Sequence, residues 1–181
     1  MNIALYTDGS CPRNWDPGPN NPAGWAFVVV NRNDIFKHQE HGQTERLSCS
    51  GRVITKDPQR GWIGARTGTN QTAELCGVYW ALRYVQWNRA EGVPLDSVAL
   101  FTDSKYAKFM VTREWKWDDN CKMENKELVL ACRKLQDDVD VRIRWLPGHR
   151  GFHWNEKADE LAYEAAKLGK YVGTNEWRKM L

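Results

Sequence analysis

The chain has 181 residues, of which 41% are hydrophobic and 27% charged, and its formal net charge is +3. This length allows one domain with a substantial core and is too short for two comfortable ones, and so small a net charge does not by itself indicate a polyanionic partner. The five cysteines are odd in number and form no C-x-x-C pair, which argues against a zinc knuckle or a disulfide framework and favours reduced thiols.

Targeting signals are not expected in this sequence. No stretch approaches the roughly 18 apolar residues of a membrane span. The first predicted strand begins so close to Met1 that it leaves no room for a signal or transit peptide. We therefore expect a cytoplasmic or nuclear protein without a signal, transit or transmembrane segment.

The spacing of apolar residues predicts a strand-rich first third, followed by alternating helices and strands. In chain order the predicted elements are strands at residues 3–7, 25–30, 46–50 and 52–55, a helix at 70–90, a strand at 97–102, helices at 104–113 and 126–137, a strand at 141–146 and a helix at 155–168. Thr69 or Asn70 is the expected N-cap of the first helix and Asn155 that of the last. Antiparallel strands followed by strand–helix–strand crossovers predict a single mixed α/β sheet with helices on both faces.

Two distant segments end on the same Thr-Asp pair. Residues 5–10 have the sequence LYTDGS, and residues 100–105 have the sequence LFTDSK. Open α/β sheets place their chemistry at the carboxyl ends of strands. If the two strands are neighbours, they lie about 4.8 Å apart, and Asp8 and Asp103 cannot both stay ionised without a shared proton or a bridging cation. This pair predicts a site for divalent cations.

Two further acids lie near the starts of predicted helices. Glu74 is expected in the first turn, where an acid interacts with the helix dipole by about 0.3–1 kcal/mol. It also lies on the side expected to face the sheet, where burial of a carboxylate requires a cation or a partner. Asp159, one turn into the last predicted helix, has the same two interpretations. Four such oxygen ligands suit Mg²⁺ or Mn²⁺, and two ions about 3.5–4 Å apart would support in-line phosphoryl displacement.

A single histidine, His149, lies in a short loop between two glycines, with the sequence PGHRG at residues 147–151. An isolated histidine is often structural or simply exposed. Because histidine exchanges protons near neutral pH, a mobile one beside an acidic site also suits a proton carrier or a helper in product release.

Five blocks of sequence, in this order, resemble ribonuclease H of type 1: TDGS at residues 7–10, TNQTAEL at 69–75, TDS at 102–104, PGHRGF at 147–152 and NExAD at 155–159. The resemblance runs from about residue 3 to residue 167. It implies the ribonuclease H-like fold, a five-stranded mixed sheet of order 3-2-1-4-5 with helices on both faces. It also implies endonucleolytic hydrolysis of the RNA strand of RNA–DNA hybrids by a two-metal-ion mechanism, leaving 3′-hydroxyl and 5′-phosphate ends. We expect a catalytic domain over residues 1–168, a C-terminal tail over 169–181 and a monomer.

The same resemblance implies the site residues. The implied catalytic residues are four acids that hold two Mg²⁺ ions, which Mn²⁺ can replace, together with one histidine: Asp8, Glu74, Asp103, Asp159 and His149. Further residues are implied to contact the substrate, either in the minor groove, where 2′-hydroxyls distinguish RNA from DNA, or along the DNA strand. They are Ser10, Cys11, Thr69, Asn70, Gln71, Tyr106, Trp115, Trp117 and Asn155.

The sequence departs from the family pattern in three places. Thr67 stands where a phosphate-pocket arginine is expected, and Arg66 is one residue away. Residues 115–120 replace the long lysine-rich protrusion of many members, which predicts weaker and more salt-dependent binding of the hybrid. The segment at residues 31–68 is longer than in compact members and has no assigned role.

Three other functions are compatible with parts of the pattern. A structure-selective DNA nuclease or polynucleotidyl transferase would share the acids, but residues that contact 2′-hydroxyls have no use on DNA. A non-catalytic hybrid-binding domain would not need all four acids. A ribonuclease H segment of a reverse transcriptase would carry the same motifs, although a start at Met1 favours an independent chain.

Overall fold

A computed structural model describes residues 1–32, 42–117, 124–173, 175, 179 and 180. The elements in this part of the chain are β1 (Asn2–Ser10), β2 (Gly24–Asn31), β3 (Thr44–Arg52), α1 (Asn70–Ala90), β4 (Ser97–Thr102), α2 (Lys105–Val111), α3 (Lys126–Val139), β5 (Arg142–Trp145) and α4 (His153–Leu168). Within the same residues, no helix is both long enough and apolar enough to cross a membrane.

The strands form one mixed sheet in the order β3-β2-β1-β4-β5. β2 pairs antiparallel with β1 and β3, whereas β4 pairs parallel with β1 and β5. This arrangement confirms the predicted fold class and strand order. Thr7 of β1 pairs with Thr102 of β4, so the aspartates that follow them start side by side at one edge of the sheet.

Helices cover both faces of the sheet. β1 and β2 are buried on both sides, and their residues alternate between two apolar cores, as expected for central strands. The larger core receives Ile3, Leu5, Trp25, Phe27 and Val29 and packs against α1, α2 and α3. The smaller core receives Ala4, Tyr6, Val28 and Val30 and packs against α4. A Cβ on Gly24 would lie 2.3 Å from the backbone oxygen of Ala162, so this glycine allows α4 to approach β2 closely.

Several element boundaries differ from the sequence prediction. Residues 46–50 and 52–55 are predicted as two strands, but residues 44–52 form the single strand β3 and residues 53–55 lie outside it. α2 ends at Val111, two residues earlier than predicted, and Arg113 has a left-handed backbone with a φ of 65°. α4 begins at His153 with Phe152 in the N-cap position, so the prediction of Asn155 as its cap was wrong.

Two predicted features fall partly outside the described residues. The polar connection at 31–42 includes residues 33–41, and the tryptophan-containing segment at 115–120 includes residues 118–120. Cys121 lies outside as well. The other four cysteines are free thiols and are buried.

The described part of the C-terminal segment packs against the domain. The backbone oxygen of Val172 accepts a hydrogen bond from the Ser50 amide at 3.1 Å, and the Val172 amide donates to Ser50 Oγ at 3.2 Å. Met180 is 1% exposed and belongs to the larger core. The two hydrogen bonds between Val172 and Ser50 cover part of the edge of β3. A division of the chain at residue 168 stays a prediction.

Candidate active site

Three carboxylates converge at the sheet edge where β1 and β4 end. One oxygen from each of Asp8, Glu74 and Asp103 lies within 4.8 Å of the others. We call these three residues the acid cluster. Asp8 lies within β1, where it pairs with Ala26, and is 5% exposed. Asp103 directly follows β4, and Glu74 projects from α1.

Glycines bring the start of α1 close enough for this convergence. A Cβ on Gly9 would lie 2.2 Å from the Glu74 amide nitrogen, and a Cβ on Gly77 would lie 2.9 Å from the backbone oxygen of Asp8. Larger residues at these positions would push α1 away from β1. The close approach therefore sets the distance between Glu74 and Asp8.

The positions of the acids differ in detail from the sequence prediction. Asp8 lies inside its strand, two residues before the end, because β1 continues to Ser10. Glu74 is the fifth residue of α1, and the first turn of that helix, residues 70–73, contains no acid. The first-turn placement was therefore wrong, and the helix-dipole interpretation loses its basis.

The acid cluster is electrostatically unfavourable as it stands. The pKa of Asp8 is raised to about 8, mainly by burial and to a smaller extent by the charges of Asp103 and Asp159. Burial also raises the pKa of Glu74 well above its usual range, and Asp8 and Asp103 contribute to that increase. Glu74 Oε2 is buried and has no hydrogen-bond partner among the described residues.

The size of the repulsion shows what the site requires. With an effective dielectric constant of about 20, two unit charges at that 4.8 Å limit repel by about 3 kcal/mol. Three such pairs would cost about 10 kcal/mol, which is comparable with the whole stability of a typical domain, ~5–15 kcal/mol. A cation among the three carboxylates would offset this repulsion. Their hard oxygen donors and the unpartnered Glu74 oxygen fit a divalent metal.

Asp159 and His149 lie beside the acid cluster. Asp159 projects from α4 and is not part of the group of three. Burial raises its pKa, whereas the nearby His149 lowers it. His149 is exposed and has a left-handed backbone with a φ of 51°. The loop thus presents the histidine to solvent next to Asp159.

Asp103 is held by three groups. Asn155 Nδ2 donates to Asp103 Oδ2 at 3.1 Å, and Trp145 Nε1 donates to the Asp103 backbone oxygen at 2.9 Å. A Cβ on Gly148 would lie 2.4 Å from Asp103 Oδ2, so the histidine loop packs against the carboxylate. Asn155, predicted as a substrate contact, is 2% exposed and positions Asp103 in this structure. Trp145 was not predicted from the sequence, because an aromatic residue at the end of a strand was its only signal.

The start of α1 presents two exposed amides on a fixed framework. Thr69 caps the helix by accepting the Thr72 amide at 3.1 Å, which decides between the two cap candidates. The side-chain oxygen Oδ1 of Asn70 accepts a hydrogen bond from the Cys11 backbone amide at 2.7 Å. The backbone amide of Asn70 donates to Asn14 Oδ1 at 2.8 Å. The Cys11 amide, predicted to contact the substrate, is therefore already used inside the protein. The side chains of Asn70 and Gln71 are exposed, and Ser10 is half-buried at the end of β1.

A second hydrogen-bond chain links Thr69 to Tyr106. Thr69 Oγ1 lies 2.8 Å from Thr72 Oγ1, which donates to Asn125 Oδ1 at 2.9 Å. Asn125 Nδ2 donates to the Tyr106 hydroxyl at 3.4 Å. Asn125, 3% exposed, was not predicted from the sequence, because a single asparagine before a helix looks like an ordinary cap. It fixes two predicted substrate contacts relative to each other.

Arg66 has partners elsewhere. Its guanidinium forms an ion pair with Glu127 at 2.9 Å and lies 4.8 Å from the centre of the Trp62 ring. The Thr67 hydroxyl is buried and has no hydrogen-bond partner within the described ranges. In this structure Arg66 therefore does not supply the arginine expected at position 67.

The two predicted tryptophan contacts have different surroundings. Trp115 is 45% exposed and packs on Phe109, with 5.0 Å between ring centres. Trp117 packs against the larger core, and the Arg133 guanidinium lies 4.0 Å from its ring centre. Trp115 is thus the more accessible of the two.

Comparison with known proteins agrees with this geometry. A protein-family model, RNase H, matches residues 1–167. A Ribonuclease H of Treponema pallidum subsp. pallidum is 34% identical over 173 residues, which cover 91% of this chain and 90% of that protein.

Two solved structures show the same fold. LC9-RNase H1, a type 1 RNase H with the type 2 active-site motif, has a TM-score of 0.66 at 23% identity and covers 97% of this chain and 80% of its own. LC11-RNase H1 in complex with an RNA/DNA hybrid has a TM-score of 0.63 at 19% identity, with 92% of this chain and 98% of its own covered. The family model and the sequence relative together show that the chain belongs to the RNase H family.

Proposed function

We propose that this chain is an endonuclease that hydrolyses the RNA strand of RNA–DNA hybrids and leaves 3′-hydroxyl and 5′-phosphate ends. The observation that carries the proposal is the convergence of the acid cluster within 4.8 Å, at the edge of the sheet that also holds the start of α1. The exposed side chains of Asn70 and Gln71 lie about one helical turn from Glu74. Family membership supports the same activity.

The acid cluster and Asp159 are the proposed ligands of two Mg²⁺ ions, which Mn²⁺ can replace. Family membership and the acid cluster support dependence on a divalent metal. When bound, such ions activate water at neutral pH and stabilise the attacking and leaving oxygens of phosphoryl displacement. Asn155 and Trp145 orient Asp103 for this role.

The remaining proposed roles belong to residues around the acid cluster. His149, exposed beside Asp159, accepts or delivers a proton or assists product release. Asn70 and Gln71 contact the 2′-hydroxyls of the RNA strand in the wide minor groove. The Cys11 backbone amide holds the adjoining loop against α1, and Ser10, half-buried at the end of β1, is proposed to contact the RNA strand beside it. Thr69 and Tyr106, joined through Asn125, are proposed to contact the DNA strand together with the accessible Trp115. Trp117 supports this surface from the core side.

A single copy of the chain is the proposed working unit, because the acid cluster is complete within it. The catalytic unit is proposed to extend over residues 1–168. A reducing compartment, the cytoplasm or nucleus, is proposed because the four described cysteines are buried free thiols. Size-exclusion chromatography with light scattering tests the monomer.

The decisive experiment compares four substrates in the presence and absence of Mg²⁺: an RNA–DNA hybrid, an RNA duplex, a DNA duplex and single-stranded RNA. We expect cleavage of the labelled RNA strand of the hybrid alone, only with the metal, and products that can be extended at a 3′-hydroxyl. A DNA duplex cut as fast as the hybrid would replace this proposal with a DNA nuclease.

A further inference from the structure

The loop between β1 and β2, residues 11–23, carries the most exposed of the large hydrophobic side chains in the described part of the chain. Trp15 is 80% exposed, compared with 45% for Trp115 and 39% for Trp145. A single exposed apolar residue is common and indicates nothing by itself. Three features of its surroundings indicate a binding contact: a fixed backbone, the position of the turn against α1, and a nearby cation.

The backbone around Trp15 is held in place. Asn21 Nδ2 donates to the Arg13 backbone oxygen at 2.9 Å and to the Gly68 backbone oxygen at 2.8 Å. The Asp16 amide also donates to the Arg13 oxygen, at 3.0 Å, which closes a turn over residues 13–16. The ring therefore projects into solvent from a fixed turn, so little conformational entropy of the backbone is lost when the turn binds a partner.

The turn lies against the start of α1. Asn14, the neighbour of Trp15, accepts the Asn70 amide at 2.8 Å, and Asn70 in turn accepts the Cys11 amide at 2.7 Å. Asn70 precedes Glu74 by four residues, about 6 Å along the helix axis. Any duplex that reaches both the acid cluster and Asn70 therefore passes close to this turn.

The chemistry of the turn suits a nucleic acid. Arg13 is exposed, and no ion pair involving it occurs among the residues that the structure describes. Asp16, also exposed, contributes one negative charge nearby. An exposed aromatic ring on the same turn as a cation can contact sugars and base edges with its apolar surface and a phosphate with its charge, without reading sequence.

We propose that Trp15 and Arg13 bind the RNA–DNA hybrid beside Asn70 and Gln71, in addition to the contacts implied by the family motifs. Trp15 packs on sugar and base edges of the wide, shallow minor groove, and Arg13 pairs with an adjacent phosphate. The pair contributes to binding and does not take part in the chemical step. This inference rests on the proposed function, because it requires a hybrid as substrate.

The test measures the dissociation constant of a fluorescently labelled hybrid in EDTA, together with KM and kcat in Mg²⁺, for Trp15→Ala, Trp15→Phe and Arg13→Ala. Tyr171→Ala is the matched control, since Tyr171 is 44% exposed and lies in the C-terminal segment beside β3. Trp15→Ala should weaken binding and raise KM by about 5- to 30-fold, as expected when the apolar area that one ring buries against sugars and base edges is lost. Trp15→Phe should fall between it and the parent, and Arg13→Ala should reduce the slope of log Kd against log salt by about 1. kcat at saturation should not change.

The outcomes separate this inference from the proposed function. If the parent cleaves the hybrid while Trp15→Ala binds it as tightly as the parent and the Tyr171→Ala control do, the contact does not exist. If Trp15→Ala lowers kcat without changing Kd, the turn acts only by holding Asn14 and Asn70, which also overturns the proposal. If the parent neither binds nor cleaves the hybrid, the proposed function fails first.

Discussion

The acid cluster and the start of α1 lie about one helical turn apart, yet their internal interactions are opposite. In the acid cluster the groups repel one another, the pKa of Asp8 is raised to about 8, and Glu74 Oε2 has no partner within the described residues. At the start of α1 and in the loop beside it, the backbone amides of Asn70, Thr72 and Cys11 all donate hydrogen bonds of normal length.

The two regions therefore differ in how the folded protein favours binding of a ligand. The acid cluster gains stability when a cation enters, because the cation removes a repulsion that the fold maintains. The start of α1 gains nothing internally, but its exposed side chains are already positioned and lose little freedom on binding. The metal site should therefore respond strongly to changes of charge, and the α1 surface to changes of shape and of hydrogen bonding.

The largest effect is expected from Asp103→Asn, which removes one charge from the acid cluster while nearly conserving its shape. Cleavage of the hybrid should be abolished, while the metal-free protein should unfold at a higher temperature, because the repulsion with Asp8 falls. Asp137→Asn is the matched control, since Asp137 pairs with Arg113 on the surface at 2.6 Å. Cleavage by Asp103→Asn within about tenfold of the parent at saturating Mg²⁺, a difference of ~1.4 kcal/mol in barrier, would disprove the metal assignment.

The next largest effect is expected at His149. Replacing it should reduce kcat by roughly 10²–10⁴, the usual contribution of a general acid–base group, and leave hybrid binding intact. Because its backbone is left-handed, with a φ of 51°, His149→Asn is preferable to alanine, since asparagine tolerates that conformation. His153→Ala provides the control at an exposed histidine nearby. Normal turnover by His149→Asn from pH 6 to 9 would show that the histidine is only structural.

A smaller and more selective effect is expected from Gln71→Ala. If Gln71 contacts a 2′-hydroxyl, its loss should reduce the preference for RNA over DNA by about 2- to 13-fold, equivalent to ~0.5–1.5 kcal/mol for one hydrogen bond. Metal dependence should not change, since Gln71 is exposed and outside the acid cluster. Competition between a hybrid and a DNA duplex measures the preference. An equal loss of activity on both duplexes would indicate a general contact instead.

The remaining prediction concerns the stability of the metal-free protein and its dependence on pH. The pKa of Asp8 is raised, so its favourable contribution to the metal-free protein is full below its ordinary pKa of 3.8 and is lost as the pH rises through about 8. Asp8→Asn should therefore stabilise the protein more at pH 8 than at pH 5, as measured by urea unfolding in EDTA. Glu45, whose pKa is lowered by Lys157, provides a control of opposite sign, and Glu45→Gln should not stabilise at pH 8. Equal effects of Asp8→Asn at both pH values would contradict the assignment.

Much of the fold could be predicted from local patterns. β-Branched runs gave the central strands, and the change from period two to period 3.6 located α1. β3 was split in two because it is an edge strand of mixed polarity, with the sequence TERLSCSGR. The start of α4 was misplaced because Phe152 has no capping side chain, and Asn155 two residues inside the helix resembled a better cap.

Residues of the candidate site could be predicted only where they belong to a recognisable sequence motif. The two Thr-Asp pairs located Asp8 and Asp103, but not the fact that β1 continues past Asp8. Asn125 and Trp145 act through contacts between elements distant in sequence, from Thr72 to Asn125 and from Trp145 to Asp103. Such contacts have no local periodicity, so only the folded structure shows them.

We propose that the acid cluster and the start of α1 act together on one substrate at a fixed spacing. The most direct measurement maps the cleavage of a hybrid whose RNA strand carries a single 2′-deoxy position. We expect normal cleavage along the strand and strong suppression only at bonds a fixed distance from that position, because the polar groups at the start of α1 lose a partner there. Cleavage that is equally efficient at every bond, or a uniform decrease along the strand, would contradict it.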